Sequence, residues 1–325
     1  MSVADRRPHE SPRDALIGAV LEFLSSEDLP AREDIRRALE TELTAAGDAA
    51  LAGLQQRLTT DLGWDYYPSD PLARRIHHLL ADRFLEADSA VVGAEHLEAV
   101  RDRRVAVFSN HLSYADANVI ELLLHRCGET DMARRFTAVA GPKIFSSRQR
   151  RFSSLCFGTI KVPQSAEVST GEAVLNQREV ARAARRSIEV AHARLTAGDV
   201  LLIFGEGTRS RSGELQPMLP GVARYLSAPD TVVLPVGLTG SEQLYPVNDT
   251  SLRAARVVMT VGAPLSVTRL MAAADSERRV AMDAIGLAIA ALLPERYRGV
   301  YARPDEYPDA QRAVHAAAGH ELSRR

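Results

Sequence analysis

The residues best placed to do chemistry lie in the stretch FSNHLSYAD, Phe108 to Asp116, which follows the apolar run VAVF. His111 and Asp116 are five positions apart. Histidine titrates near neutrality and is the commonest general base. A carboxylate one turn on can accept from one ring nitrogen, fix the tautomer and leave the other nitrogen free to take a proton. That is the base-and-orienter part of a catalytic triad, without a nucleophile of the enzyme's own. A second reading fits the same spacing. Ser113-x-x-Asp116 matches a capping box for the helix ADANVIELLLH, with Ser113 as N-cap and Asp116 accepting backbone N–H bonds. It accounts for Ser113 and Asp116 and leaves Asn110 and His111 unexplained. Spacing alone leaves both readings open.

A second polar cluster, GEGTRSRSGE, follows the apolar run VLLIF. Gly205 and Gly207 allow a ligand to approach the backbone. Arg209 and Arg211 offer forked donors suited to phosphate oxygens. No GK[ST] is present, so this is not a Walker A loop. A glycine-containing loop with solvated arginines is the plainer alternative.

These loops need a scaffold that brings strand ends together. The first part of the chain reads as helices. Ser11 is an N-cap before Pro12, with Asp14 three after the cap, and Leu16, Val20, Leu21 and Leu24 share a face. Two further helices are carried by Ile35, Leu39 and Leu43, and by Leu51, Leu54, Leu58 and Leu62. After the turn-rich GWDYYPSDP, Asp70 and Pro71 start a fourth, which faces Leu72, Ile76, Leu79 and Leu80 inward. His77 and His78 in it read as solvated or packing residues, and no metal site is expected. From Ser89 the texture changes. AVVG, VAVFS, FTAVA, GTIKV, VLLIF, VVLPVG and RVVMTVG alternate with helical stretches. The expectation is an α/β fold, a mostly parallel sheet flanked by helices and preceded by an N-terminal helical domain. The boundaries read as 1–88 for the helical domain, 89–303 for the α/β domain and 304–325 for a polar C-terminal tail. In such sheets ligands collect at the carboxyl ends of the strands, where both clusters fall.

The totals exclude some functions. With 40 Lys and Arg against 42 Asp and Glu, the formal charge is -2, so no nucleic-acid partner is expected. No run approaches the roughly 18 apolar residues of a spanning helix, and no secretory leader is read. The expected location is the cytoplasm, with any membrane contact peripheral and at its inner face. Cys127 and Cys156, in apolar surroundings without a CxxC, read as reduced core thiols.

Together the two clusters resemble the glycerolipid acyltransferases, the glycerol-3-phosphate and 1-acylglycerol-3-phosphate O-acyltransferases with an H-x4-D block. NHLSYAD is similar to the family's first block and FGEGTRSRSG to its third, which reads roughly F-P-E-G-T-R-S. VVLPVGLTG resembles the fourth block and LLPERYRGVY a common family ending, so the likeness spans roughly residues 89 to 303. The resemblance implies that His111 is the base and Asp116 its orienter, in O-acyl transfer from acyl-CoA or acyl carrier protein to a glycerolipid-type hydroxyl. It implies no cofactor beyond that co-substrate. It assigns Glu206, Gly207, Thr208 and Arg209 to the acceptor pocket, with Arg211 as a further phosphate partner and Asn110 nearby.

Two departures matter. Gly205 replaces the family's Pro, which should loosen the third block. In GTIKVPQ, Gln164 stands where the second block has an acceptor-binding Arg, leaving Lys161 as the nearby cation. A neutral amide forfeits the charge-assisted pair to phosphate. This opens a non-phosphorylated lipid or specialised metabolite as an alternative acceptor. An alternative of another class is a lipid-binding protein without catalysis, against which the intact His111, Asp116 and Glu206 argue. The helical N-terminal part is similar to the plastid-type soluble glycerol-3-phosphate acyltransferases. FSSRQRRFSSLCF carries Arg148, Arg150 and Arg151, which read either as a solvated basic face or as a docking site for donor phosphates or lipid headgroups.

Overall fold

The computed structural model describes residues 11–25, 27–163, 177–228, 230–246 and 251–318. Four helices open it: α1 (Pro12–Leu21), α2 (Leu29–Ala46), α3 (Asp48–Thr59) and α4 (Pro71–Phe84), with the short strand β1 (Tyr66–Tyr67) before α4. Their starts are set locally. Ser11 Oγ accepts from the Asp14 amide, Asp28 Oδ1 from Ala31, and Asp70 Oδ1 from Leu72 and Ala73. Each cap satisfies amides that the first helical turn leaves unpaired.

The remaining strands are β2 (Ala90–Val92), β3 (Arg104–Ser109), β4 (Phe136–Ala140), β5 (Gly158–Lys161), β6 (Val200–Phe204), β7 (Thr231–Thr239), β8 (Val258–Val261) and β9 (Leu265–Ser266). Between and after them come α5 (Glu95–Glu98), α6 (Asp116–Arg126), α7 (Thr130–Arg134), α8 (Arg148–Leu155), α9 (Gln177–Thr196), α10 (Ser241–Leu244), α11 (Val267–Ala273), α12 (Arg278–Ala290) and α13 (Pro308–Ala317). The sheet order is β1-β5-β4-β6-β3-β7-β8-β2, with β9 also on β7. From β5 to β7 every pairing is parallel; β1, β8 and β9 join antiparallel. The sheet is therefore mixed around a parallel centre. Its central strands are apolar almost throughout because helices cover both faces.

Alternate residues of β3 serve opposite layers. Val105 and Val107 join a core with Leu16, Ile76 and Ile120; Ala106 and Phe108 join another with Met218, Ile285 and Tyr301. The helices of residues 1–88 thus share a core with one face of the sheet, and β1 adds a strand to its edge through Tyr66↔Ile160. Two expectations need correction. The segment after Pro304, read as a polar tail, contains α13, whose Ala310, Ala313 and Ala317 are buried. Alanines at helical spacing make a face narrow enough to pack closely, which a polarity reading overlooks. Cys127 is exposed at the end of α6, while Cys156 is buried. No helix among the described residues is long and apolar enough to cross a membrane.

Candidate active site

β3 and β6 are parallel neighbours with Ser109 opposite Phe204. Continuing both strands by two residues sets His111 beside Glu206. The Glu206 carboxylate bridges the loops: Oε1 accepts from the His111 amide at 2.7 Å and Oε2 from the Gln216 amide at 2.9 Å. The Ser210 amide donates to the His111 carbonyl at 2.8 Å. The two clusters are one built structure. Glu206 itself is 3% exposed. Burial pushes its carboxyl up to about 8, against the two amide bonds and with help from the nearby Asp116 charge.

Asp116 is fully buried at the start of α6. Its Oδ2 accepts from His111 Nδ1 at 2.8 Å and from the Leu112 and Ser113 amides at 2.6 and 2.9 Å. Its Oδ1 accepts from Ser241 Oγ at 2.6 Å. Four donors offset the desolvation of the ion and fix its position. A carboxylate only accepts, so Nδ1 carries the imidazole proton and Nε2 bears the lone pair. Nε2 makes no hydrogen bond among the described residues. The capping box forms by half. Asp116 reaches back to the Ser113 amide, but Ser113 Oγ accepts from Ala115 and donates to the Tyr245 carbonyl. Capping and orienting are performed by the same oxygen.

The imidazole also stacks on Phe204, centroids 3.9 Å apart and planes 12° apart. Phe204 ends β6, so the strand that delivers the second loop supplies the floor under His111. Gly205 does not loosen that loop. A Cβ there would overlap Met218 Sδ, and Gly205's carbonyl accepts from the Leu219 amide. Gly207 has φ +71°, in the region glycine favours, and a Cβ would meet Leu219. Tyr301, in the C-terminal ending, donates to Asp283 at 2.8 Å and accepts from the Met218 amide at 3.0 Å. That ending therefore braces the return of the GEGTRS loop.

The cations divide. Arg209 and Arg150 both lie over the Tyr114 ring, at 4.1 and 4.9 Å from its centroid. Neither they nor the exposed Arg211 and Arg148 have a carboxylate partner among the described residues. Gly207 and Thr208 are exposed beside Arg209. Three residues read as site members are engaged elsewhere. Arg151 is buried, its guanidinium over Tyr67 and donating to the Arg57 carbonyl, because it lies on the inner face of α8. Lys161 pairs with Asp61 at 3.2 Å. Asn110 straps β3 to β7, donating to the Leu238 carbonyl and accepting from its amide at 2.9 and 2.8 Å. Gln164 lies outside the described residues.

An apolar cleft of about 840 Å³, part of it open to solvent, runs beside the 111–115 loop. Leu80 and Phe84 of α4, Val119 and Leu122 of α6 and Phe152 of α8 line it, together with Tyr114 and Arg150. Gln149 Nε2 is buried on its wall without a hydrogen-bond partner among the described residues. The sequence reading missed Ser241, Phe204 and Tyr114 as parts of the site. Phe204 and Tyr114 sit inside the two motifs; Ser241 carries no local signal, since its role depends on β7 lying beside β3.

Comparison with known proteins bears on this arrangement. A search of curated proteins gave no match. A solved structure that is similar is the crystal structure of the 1-acyl-sn-glycerophosphate (LPA) acyltransferase, PlsC, from Thermotoga maritima. It is 17% identical, with a TM-score of 0.43, over 79% of this chain and 88% of that one. Residues 88–239 match the family described as Acyltransferase, and they contain both His111 and Asp116 and the GEGTRS loop. Over that stretch the chain is similar to acyltransferases.

Proposed function

We propose that the protein transfers a fatty acyl group from an acyl-CoA or acyl carrier protein thioester to a hydroxyl of glycerol-3-phosphate or 1-acylglycerol-3-phosphate. The observation that carries the reading is the Asp116–His111 pair, with Nδ1 held at 2.8 Å and Nε2 unengaged among the described residues. In the proposed reaction Nε2 accepts the hydroxyl proton as that oxygen attacks the thioester carbonyl. The buried Asp116 carboxylate stabilises the imidazolium that forms. The tetrahedral intermediate collapses by breaking the carbon–sulfur bond, and the imidazolium proton goes to the departing thiolate. The ester and a free thiol result, and His111 is neutral again.

The surroundings support the substrate class. The cleft offers an apolar wall for the acyl chain, and burial of each methylene contributes about 0.8 kcal/mol. Arg209 and Arg150, held over the cleft-lining Tyr114 without carboxylate partners among the described residues, suit an acceptor phosphate beside that ring. A non-phosphorylated acceptor is the second reading, favoured by Gln164 at the family's Arg position and by the engagement of Lys161 with Asp61.

The test is thiol release from palmitoyl-CoA and palmitoyl carrier protein with glycerol-3-phosphate, lysophosphatidate or a neutral acylglycerol as acceptor. Acceptor-dependent release with the phosphorylated compounds supports the first reading. Release only with the neutral compound establishes the second. Free fatty acid formed at one rate with and without acceptor would overturn acyl transfer.

A further inference from the structure

Away from His111, α4 and α6 meet at a second constellation. Glu121, 1% exposed in its side chain, faces two adjacent histidines of α4. His77 Nε2 and His78 Nε2 approach the same carboxylate oxygen, Oε2, at 3.3 and 3.1 Å. Charge-assisted hydrogen bonds are usually shorter, about 2.7–2.9 Å. Two ligand atoms on a tetrahedral zinc, each roughly 2.0–2.1 Å from the metal, stand about 3.3 Å apart. One donor atom from each of the three residues falls within 4.8 Å of the others. The His78 contact is within hydrogen-bond range, and the set of three donor atoms also has the spacing of ligands around one ion.

The surroundings fit a metal's outer shell. The other oxygen, Oε1, faces Arg74 Nε at 3.5 Å and His78 Nε2 at 3.3 Å, while Oε2 is the oxygen both histidines share. His125, one turn beyond Glu121 on α6, stacks on His78 with centroids 4.7 Å apart and fixes its ring plane. His77 Nε2 also lies 3.0 Å from the Asn118 carbonyl, so a proton and a cation compete for that nitrogen. His78 keeps 25% of its side chain exposed, which gives an ion a route in and water a fourth position.

We propose that His77, His78 and Glu121 form a binding site for a first-row divalent cation of the zinc, cobalt or nickel kind. Two imidazoles and one carboxylate are a donor set for such ions and a poor one for magnesium or calcium, which take oxygen ligands. The ion ties α4, from the helical layer, to α6, the helix that begins at Asp116. His77 also lines the apolar cleft, so the same ion closes one part of the cleft wall.

The untagged full chain, stripped with a chelator and dialysed, is titrated with Co(II) and followed by its visible d–d absorption. Zn(II) competition and thermal melts accompany the titration. Expected are a saturating tetrahedral-type band at one equivalent, its displacement by Zn(II), and a Zn-dependent rise in Tm. His78→Ala, at the more exposed of the two histidines, should fold normally by circular dichroism and weaken binding about 100-fold. Glu121→Gln keeps the shape, removes the charge and should abolish the band. No band in the wild-type chain, or equal binding in both variants, overturns the proposal.

Discussion

The His111 imidazole lies flat on the Phe204 ring, 3.9 Å between centroids, while its Nδ1 is held by Asp116 at 2.8 Å. One contact sets the plane of the base and the other its rotation within that plane. Phe204→Leu keeps apolar volume but removes the flat support. Misplacing a reacting group by about 1 Å costs on the order of 100-fold. The expected result is a kcat lower by roughly 10- to 100-fold with KM for both substrates near wild type. A wild-type kcat would mean that Asp116 alone orients the ring.

Asp116→Asn tests the tautomer. The Leu112 and Ser113 amides can only donate, so the NH2 of an Asn is met either by Ser241 Oγ or, where it faces the ring, by a His111 Nδ1 without its proton. The imidazole then favours the wrong tautomer, and a loss of about 10⁴ in kcat is expected. His111→Ala should lose about 10²–10⁴ for want of a base. Circular dichroism separates these losses from unfolding. Acceptor-dependent turnover at the wild-type rate in His111→Ala would exclude it as the base.

Glu206 predicts a pH effect on stability rather than on chemistry. Its folded carboxyl is pushed from 4.5 up to about 8, first by burial. The unfolded chain gives up this proton earlier, so folding takes up a proton between those values. The stability it contributes is present below pH 4.5 and is lost as pH rises through about 8. Denaturant unfolding across that range should show a falling ΔG, and Glu206→Gln, with nothing to titrate, should flatten the slope. An unchanged slope in the variant would assign the effect to another group.

Arg209 and Arg150 test the acceptor. Hydrogen bonds to charged groups contribute about 1.5–3 kcal/mol, which corresponds to roughly 10- to 150-fold. Arg209→Ala should raise KM for a phosphorylated acceptor by that order and leave a neutral acceptor unaffected, with Arg150→Ala acting in the same direction. Lys161→Ala, whose cation is paired with Asp61, should leave the acceptor KM unchanged. Equal effects of Arg209→Ala on charged and neutral acceptors would remove the phosphate from this position.

The parts of the site legible in sequence were those that follow a strand immediately. His111 and Glu206 come two residues after β3 and β6, so a strand pattern and a polar loop sufficed to find them. Legibility failed where burial is decided across the chain. Arg150 and Arg151 are neighbours on α8, yet one lies over Tyr114 at the cleft and the other under Tyr67 in the interior. Nothing in FSSRQRRFSSLCF says which face meets α3. His77 and His78 read as packing residues because their partner, Glu121, arrives on another helix. Ser241 was invisible for the same reason, its hydroxyl reaching Asp116 only because β7 is hydrogen-bonded to β3. Tyr66–Tyr67 escaped as a strand because two residues carry no period.

The apolar cleft makes the last prediction, on acyl-chain length. Ala81 lines it from α4 and is only partly buried, so a larger side chain there fills the cleft with little strain on the core around it. In Ala81→Phe the ring would occupy space that a long chain needs and a short chain does not. A single methylene in an apolar pocket changes selectivity by about 1–3 kcal/mol, or roughly 10- to 200-fold. Across thioesters from octanoyl to stearoyl, kcat/KM should fall by about 10-fold or more for the longest and stay near wild type for the shortest. The wild-type enzyme supplies the reference slope, and unchanged turnover of the shortest donor shows that His111 is undisturbed. A uniform loss at every length would mean that the substitution perturbs the 111–115 loop. No loss at any length would place the acyl chain outside this cleft.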